Sequence, residues 1–254
     1  MADSGSMPLD GKVALATGSA RRLGAAMLRQ LHGAGAHVAI HFRSSSREAD
    51  ALASELNALR PASAVAVQAD LLDLASLPGL IDAVVQAFGR LDILINNAST
   101  FYPTPVGEIT PTQFDDLIGT NLRAPLFLAQ AAASQLRLHE GLIINMVDIH
   151  ASRPLKRHPV YCAAKAGLVM LTRSLAREMA PQVRVNGIAP GPVLWPEGGL
   201  DEDLQKKIIE RTALKRRGSP ADVARAALYF ATDAPFVTGQ ILAVDGGRSL
   251  GGGL

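Results

Sequence analysis

Residues 17–24 read Thr-Gly-Ser-Ala-Arg-Arg-Leu-Gly and follow the apolar run Val-Ala-Leu-Ala of residues 13–16. The next residues, 25–31, place apolar side chains at the spacing of one helix face. A strand, a glycine turn and a helix in this order present backbone amides and a positive dipole end to an anion. The turn is therefore predicted to bind the pyrophosphate of a dinucleotide; an ordinary strand-to-helix turn is the alternative interpretation. The residues expected at this ligand are Gly18, Arg22, Leu23 and Gly24.

The rest of the chain repeats this alternation of apolar runs and helical patterns. Strands are predicted at residues 13–16, 37–42, 65–67, 93–95, 142–146, 183–188 and 241–244. Because parallel strands need crossovers that cover the sheet, we predict one Rossmann-type α/β domain, a doubly wound parallel sheet of seven strands with helices on both faces. The domain is expected to span residues 1–254, with a flexible N-terminal tail (1–10), a substrate-binding loop region (191–217) and a C-terminal tail (248–254).

One helix start is marked especially clearly. Thr110, Pro111 and Gln113 resemble a capping box with proline at the first helical position. The helical pattern continues to about Leu138, and Pro125 is predicted to divide it into two helices.

Composition and charge narrow the class of protein. The formal net charge is only +2, and the single basic cluster, residues 215–217, is interpreted as a solvated helix end, so no nucleic-acid partner is expected. No apolar run is long enough for a membrane span, and a cytoplasmic enzyme is expected. Cys162 is the sole cysteine, and the histidines lack metal-ligand spacing, so we predict no metal site.

The end of the second predicted strand bears on the choice of nucleotide. An NAD-preferring site would carry an acidic residue there, but this chain has Arg43 within a polar stretch. A guanidinium can pair bidentately with a 2′-phosphate, which favours NADPH. The alternative is that Arg43 and the serines only begin an exposed helix. The cofactor contacts expected here are His41, Arg43, Ser44 and Ser45.

Further cofactor contacts are expected where the third and fourth strands end. Ligands of open α/β sheets lie outside the carboxyl ends of the strands. Asp70 and Leu71 follow the third strand, and Asn97 and Ala98 follow the fourth. Asp70 is expected to accept a hydrogen bond from the adenine amine, although a capping or turn role is the alternative.

Tyr161 and Lys165 form a candidate catalytic pair. Their spacing of four residues places the phenol and the ammonium on one helix face. A nearby cation is expected to lower the phenol pKa, which would make Tyr161 a proton donor near neutral pH. Taken alone, this spacing also occurs as an accidental surface pair on helices.

The full set of motifs resembles the classical short-chain dehydrogenase/reductases. The matching segments are 17–24, Asn96-Asn97-Ala98, Asn121, Tyr161 to Lys165, Arg184-Val185-Asn186, Pro190-Gly191 and Asp245-Gly246-Gly247. The resemblance implies that Tyr161 is the acid, that Lys165 holds the nicotinamide ribose, and that Asn121 supports a proton-relay water. It also implies cofactor contacts at Pro190 and Gly191 and a homotetramer.

Three departures from the common pattern of that family resemble its pteridine reductase branch. Arg22 replaces the middle glycine, Ser99 follows Asn-Asn-Ala in place of glycine, and Asp148 replaces the catalytic serine. The branch implies that Arg22 bridges pyrophosphate and substrate and that Ser99 contacts cofactor or pterin. It also implies that Phe101 stacks on the pterin, whereas ordinary core packing is the alternative for Phe101.

The predicted activity is therefore the NADPH-dependent reduction of a pterin or folate, with Asp148 beside the proton donor. A carboxylate would repel the oxyanion that forms from a carbonyl, but it suits a ring nitrogen that must be protonated. Trp195 lies in the loop region and is expected to line the substrate pocket. The alternatives are a carbonyl reductase of the same fold and a non-catalytic NADP-sensing protein.

Overall fold

The computed structural model describes residues 7–195 and 198–250. Seven parallel strands form one sheet in the order β3-β2-β1-β4-β5-β6-β7. They are β1 Val13–Ala16, β2 His37–Phe42, β3 Ala64–Gln68, β4 Ile93–Asn96, β5 Leu142–Met146, β6 Arg184–Pro190 and β7 Ile241–Val244. The predicted fold class, a seven-stranded Rossmann-type α/β sheet, is confirmed.

Helices cover both faces of this sheet. They are α1 Arg22–Gly33, α2 Ser46–Leu59, α3 Leu77–Phe88, α4 Pro111–Ile118, α5 Ala124–Leu138, α6 Pro159–Glu178, α7 Glu202–Glu210 and α8 Pro220–Thr232. Helices α1, α2 and α8 pack on one face, and α3, α5 and α6 pack on the other. No helix in the described part of the chain has both the length and the apolar character needed to cross a bilayer.

Side chains of each buried strand alternate between the two cores. In β1, Ala14 and Ala16 join the core under α1 and α8, while Val13 and Leu15 join the core under α3 and α5. Successive side chains of a strand point to opposite faces of the sheet. A parallel strand covered by helices on both faces is therefore expected to be apolar at every position, as β1 is.

The strand order reverses between β1 and β4. After β3 the chain crosses the sheet and returns beside β1, where Ala16 pairs with Ile95. A crevice forms at such a point because the loops leaving the two strands diverge. The fold therefore brings the turn at residues 17–24 next to the residues that follow β4.

The helix around residues 110–138 agrees with its prediction and adds one detail. Thr110 and Gln113 form the complete capping box, which confirms that prediction. Two α-helices are present, with Pro125 in the first turn of the second. The break itself is a π-helical turn at Gly119–Arg123, just before the proline.

The N-terminal tail prediction is wrong for residues 7–10. Leu9 is buried against the core, and its backbone amide donates to the carbonyl of Ala34 at 2.9 Å. Burial of the Leu9 side chain against the core that includes α1 stabilises this segment, although its neighbours are polar. Residues 1–6 and 251–254, which belong to the two predicted tails, lie outside the described residues.

Candidate active site

A cleft of about 530 Å³ opens at the carboxyl ends of the central strands. Every predicted cofactor-binding residue except Gly24 lines this cleft, and so does every predicted catalytic residue except Asn121. Among the predicted substrate contacts, Phe101 and Trp195 lie outside its lining. The cleft is also lined by Met146 and Val147, whose position at the end of β5 could have identified them. Leu72 and Thr120 line it as well, and no sequence motif marks them.

Hydrogen bonds fix the glycine turn to the end of β4. The Thr17 hydroxyl oxygen accepts from the backbone amides of Asn97 and Ala98, both at 3.0 Å. In return, the Asn97 side-chain amide donates to the carbonyls of Thr17 at 2.8 Å and Gly18 at 3.0 Å. Asn97 thus organises the turn itself, and this role accounts for an asparagine directly after the strand.

Backbone conformation in the turn leaves room for an anion. Gly18 has a φ of +58°, and a Cβ there would lie 3.0 Å from the Cα of Ala98. Arg22 also has a positive φ, 56°, which is strained for a residue with a side chain. Helix α1 begins at Arg22 without any side-chain cap and without an acidic residue in its first turn. Its uncapped amides therefore suit a pyrophosphate.

Gly24 has a packing role beneath the turn. A Cβ at this position would come within 2.6 Å of the Ser19 Cα and 2.7 Å of the Asn97 side-chain nitrogen. Glycine is the only residue that lets the first turn of α1 approach this closely. The close approach explains why Gly24 belongs to the motif although it does not line the cleft.

His41 connects three segments of the cofactor side of the cleft. Its Nδ1 accepts from the Gly18 amide at 3.0 Å, and its Nε2 lies 3.1 Å from the carbonyl of Ala69. These partners require a neutral ring with the proton on Nε2. Burial lowers the pKa of His41 to about 4, so the ring stays neutral at physiological pH.

Arg43 and Asp70 both line the cleft. Arg43 is exposed, and Ser45 at the start of α2 makes no side-chain cap, which leaves its hydroxyl open to another partner. Asp70 accepts from the Leu72 amide at 3.0 Å through one oxygen, so the turn role foreseen for it is present. Asp70 also lines the cleft, and its contact with the adenine amine stays a prediction.

Asp148 lies directly against the candidate proton donor. The Tyr161 hydroxyl donates to one carboxylate oxygen of Asp148 at 2.8 Å. The other oxygen accepts from the His150 amide at 2.8 Å, where Asp148 caps a short 3₁₀ turn at Ile149–Ala151. The cap fixes the carboxylate, and the carboxylate in turn fixes the phenol.

Lys165 is a buried cation behind the phenol. Its ammonium donates to the carbonyl of Met146 at 2.8 Å and lies 5.7 Å from the centre of the Tyr161 ring. Burial lowers the pKa of Lys165 to about 8, against an opposing effect of the Asp148 carboxylate. The interpretation of Tyr161 and Lys165 as an accidental surface pair is wrong, because both side chains are buried.

The expected lowering of the Tyr161 pKa is also wrong. Burial raises the pKa of Tyr161 far above its ordinary value, and the charge and hydrogen bond of Asp148 raise it further; Ser99 acts weakly in the opposite direction. The cation four residues away is visible in the sequence spacing, whereas the carboxylate that contacts the hydroxyl is brought there only by the fold. The phenol therefore remains protonated throughout the neutral range.

Asn121 holds two residues of the cleft lining, Ser99 and Thr100, in place. It lies in the π-helical turn and is fully buried. The Ser99 hydroxyl donates to its carbonyl oxygen at 2.6 Å, and its amide donates to the carbonyls of Thr100 at 3.0 Å and Leu117 at 2.9 Å. Asn121 thus fixes the Ser99 and Thr100 segment, and its role with a relay water stays a prediction.

Phe101 and Trp195 lie beside the cleft. Phe101 is 47% exposed, so it is not part of the core. It stacks on His158 with ring centres 4.7 Å apart and meets Tyr161 edge to face at 4.8 Å. The Trp195 carbonyl accepts from the Arg22 guanidinium at 2.9 Å, which ties the loop region to the glycine turn. Their contacts with substrate remain predictions.

Comparisons with known proteins agree with this geometry. A family model described as enoyl-(acyl carrier protein) reductase matches residues 18–249. Pteridine reductase 1 of Leishmania tarentolae is 37% identical over 94% of this chain and 96% of its own. The short chain dehydrogenase mdpC of Emericella nidulans is 34% identical, over 95% and 96%. A 3-oxoacyl-[acyl-carrier-protein] reductase, FabG of Staphylococcus aureus, is 33% identical, over 93% and 97%. The chain therefore belongs to the short-chain dehydrogenase/reductase family of oxidoreductases.

Proposed function

We propose that this protein is an NADPH-dependent pteridine reductase that reduces a C=N bond of a dihydropterin or dihydrofolate to the tetrahydro form. The observation that carries the proposal is the 2.8 Å hydrogen bond from Tyr161 to Asp148 inside the cleft. A homotetramer working in the cytoplasm is part of the same proposal.

The residues of the cleft fit an NADPH molecule. The uncapped start of α1 suits the pyrophosphate, and the exposed guanidinium of Arg43 at the end of β2 suits the 2′-phosphate. Lys165 and Tyr161 are proposed to hold the nicotinamide ribose. When bound, NADPH supplies the hydride that adds to the carbon of the C=N bond.

The carboxylate favours a nitrogen substrate over a ketone. A ketone accumulates negative charge on oxygen during reduction, and an ionised Asp148 at that position would oppose it. A ring nitrogen instead gains a proton, and the amino and amide N–H groups of a pterin can donate hydrogen bonds to a carboxylate. Ser99 and Arg22, which line the same cleft, supply further polar contacts for a flat heteroaromatic ring.

The proton follows a short relay. The high pKa of Tyr161 means that its phenolate is unfavourable, so loss of its proton must be coupled to immediate replacement. The Asp148 carboxylate accepts the hydrogen bond of the hydroxyl at 2.8 Å and holds the phenol in place, so the replacement proton comes from solvent. Tyr161 gives its proton to the substrate nitrogen, and solvent returns one to Tyr161. One hydride and one proton are thereby added across the C=N bond.

A carbonyl reductase is the second candidate. Its support is the relative named 3-oxoacyl-[acyl-carrier-protein] reductase, which matches nearly the whole chain. Asp148 separates the two candidates, because serine at this position donates to a developing oxyanion and aspartate does not. Asp148→Ser is expected to abolish pterin reduction and to preserve or improve ketone reduction.

The test is a panel of NADPH oxidation assays with dihydrobiopterin, dihydrofolate, a 3-oxoacyl thioester and a simple ketone. Stoichiometric formation of the tetrahydropterin would support the proposal. Turnover of a ketone or thioester with no activity toward any pterin would refute it. A catalytically silent Tyr161→Phe variant controls for nonenzymatic NADPH loss in each assay.

A further inference from the structure

An aromatic and cationic pair, Trp195 and Arg217, lies beside the cleft. The guanidinium of Arg217 lies 5.6 Å from the centre of the Trp195 ring, within the range of a cation–π contact. Leu194, the residue before Trp195, lines the cleft, and the Trp195 carbonyl is bonded to Arg22, which also lines it. The pair is therefore joined to the cleft lining by one backbone step and one hydrogen bond.

Within the described part of the chain, Arg217 has no carboxylate partner, unlike Arg216 and Arg225. Arg216 lies 3.6 Å from Asp222, and Arg225 lies 3.2 Å from the other oxygen of Asp222. Among residues 7–195 and 198–250, no acidic side chain comes within ion-pair distance of Arg217. A guanidinium held against a ring face keeps its in-plane N–H groups available for a carboxylate.

We propose that Trp195 and Arg217 bind a carboxylate-bearing aryl tail on the substrate, of the kind found in dihydrofolate. The aryl ring packs on Trp195, and the carboxylate pairs with Arg217. This inference rests on the proposed function and makes it more specific, since a pterin without a tail would not reach the pair. The proposal also assigns Arg217 a ligand, in contrast to the interpretation of residues 215–217 as a solvated helix end.

Direct binding tests the site without catalysis. Trp195 is the only tryptophan of the chain, so intrinsic tryptophan fluorescence reports on this position alone. Titration with p-aminobenzoylglutamate is expected to quench the emission, and Arg217→Gln is expected to weaken that binding about tenfold. Arg225→Gln is the matched control, because it removes a neighbouring charge that is already paired with Asp222. An absent response, or equal affinity in wild type and Arg217→Gln, would overturn the inference.

Kinetics separate this inference from the proposed function. Arg217→Gln is expected to raise the KM for dihydrofolate about tenfold while leaving kcat and all constants for dihydrobiopterin unchanged. An equal effect on both substrates would overturn the site. If wild-type protein reduces neither substrate, the proposed function fails, and the fluorescence titration still decides the site.

Discussion

The replacement Lys165→Met tests how much the buried cation lowers the free energy of unfolding, which is its cost to stability. Burial lowers the pKa of Lys165 from 10.5 to about 8, so the folded state disfavours the charged form. Below pH 8 both folded and unfolded chains carry the proton, and the full cost is present. A pKa difference of about 2.5 corresponds to about 3 kcal/mol of destabilisation. As the pH rises from 8 toward 10.5, the folded protein releases its proton first and the cost disappears.

Urea unfolding at pH 7 and pH 10 measures this effect. Wild type is expected to gain about 2 to 3 kcal/mol of unfolding free energy relative to Lys165→Met between these two conditions. The two proteins share every other titrating group, so the difference isolates Lys165. A difference between them that stays constant with pH would refute the reasoning, because it would mean that Lys165 does not hold a buried charge near neutrality.

Three further replacements address the cofactor side. Arg43→Glu is expected to lower the ratio of kcat/KM for NADPH to kcat/KM for NADH by at least about tenfold. Arg47→Glu on α2 is the control and should leave this ratio unchanged. An unchanged ratio in Arg43→Glu would contradict the 2′-phosphate role. Burial lowers the pKa of His41 to about 4, so the unfolded chain takes up a proton at a higher pH than the folded protein does. As the pH falls from 7 to 4, the free energy of unfolding of wild type should therefore fall by about 3 kcal/mol relative to that of His41→Asn. A difference between the two proteins that does not change with pH would exclude this effect. Gly24→Ala is expected to lower the free energy of unfolding by about 1 to 3 kcal/mol and to weaken NADPH binding. Gly33→Ala is the control, because a Cβ at Gly33 meets nothing within 4 Å, and it should change neither property. Equal shifts of the melting temperature in the two variants would contradict the packing role of Gly24.

The sheet was predictable because its signals are local and repeated. Each strand is a short apolar run, and each turn carries glycine or a polar residue at the strand end, as at Gly18 and Asn97. The capping box at Thr110 is equally local. The π-helical turn was not predictable, because it arises from packing around the buried Asn121 and leaves no pattern of its own.

The candidate site was predictable in its membership and less so in its electrostatics. Spacing alone placed Tyr161 and Lys165 on one helix face, and the structure has them together. The pKa of Tyr161 is raised by burial and by contact with Asp148, which lies thirteen residues away in sequence. Neither cause can be read from the spacing of Tyr161 and Lys165. The stacking of Phe101 on His158 and the two bonds of the His41 ring likewise depend on tertiary contacts that no sequence spacing encodes.

The proposed mechanism depends on Asp148 holding the Tyr161 hydroxyl while Tyr161 donates its proton to a ring nitrogen. Steady-state reduction of dihydrobiopterin by the near-isosteric variant Asp148→Asn, with NADPH affinity measured in parallel, tests it most directly. We predict a loss of at least about 100-fold in kcat with NADPH affinity within twofold of wild type. Undiminished turnover by Asp148→Asn would contradict the claim.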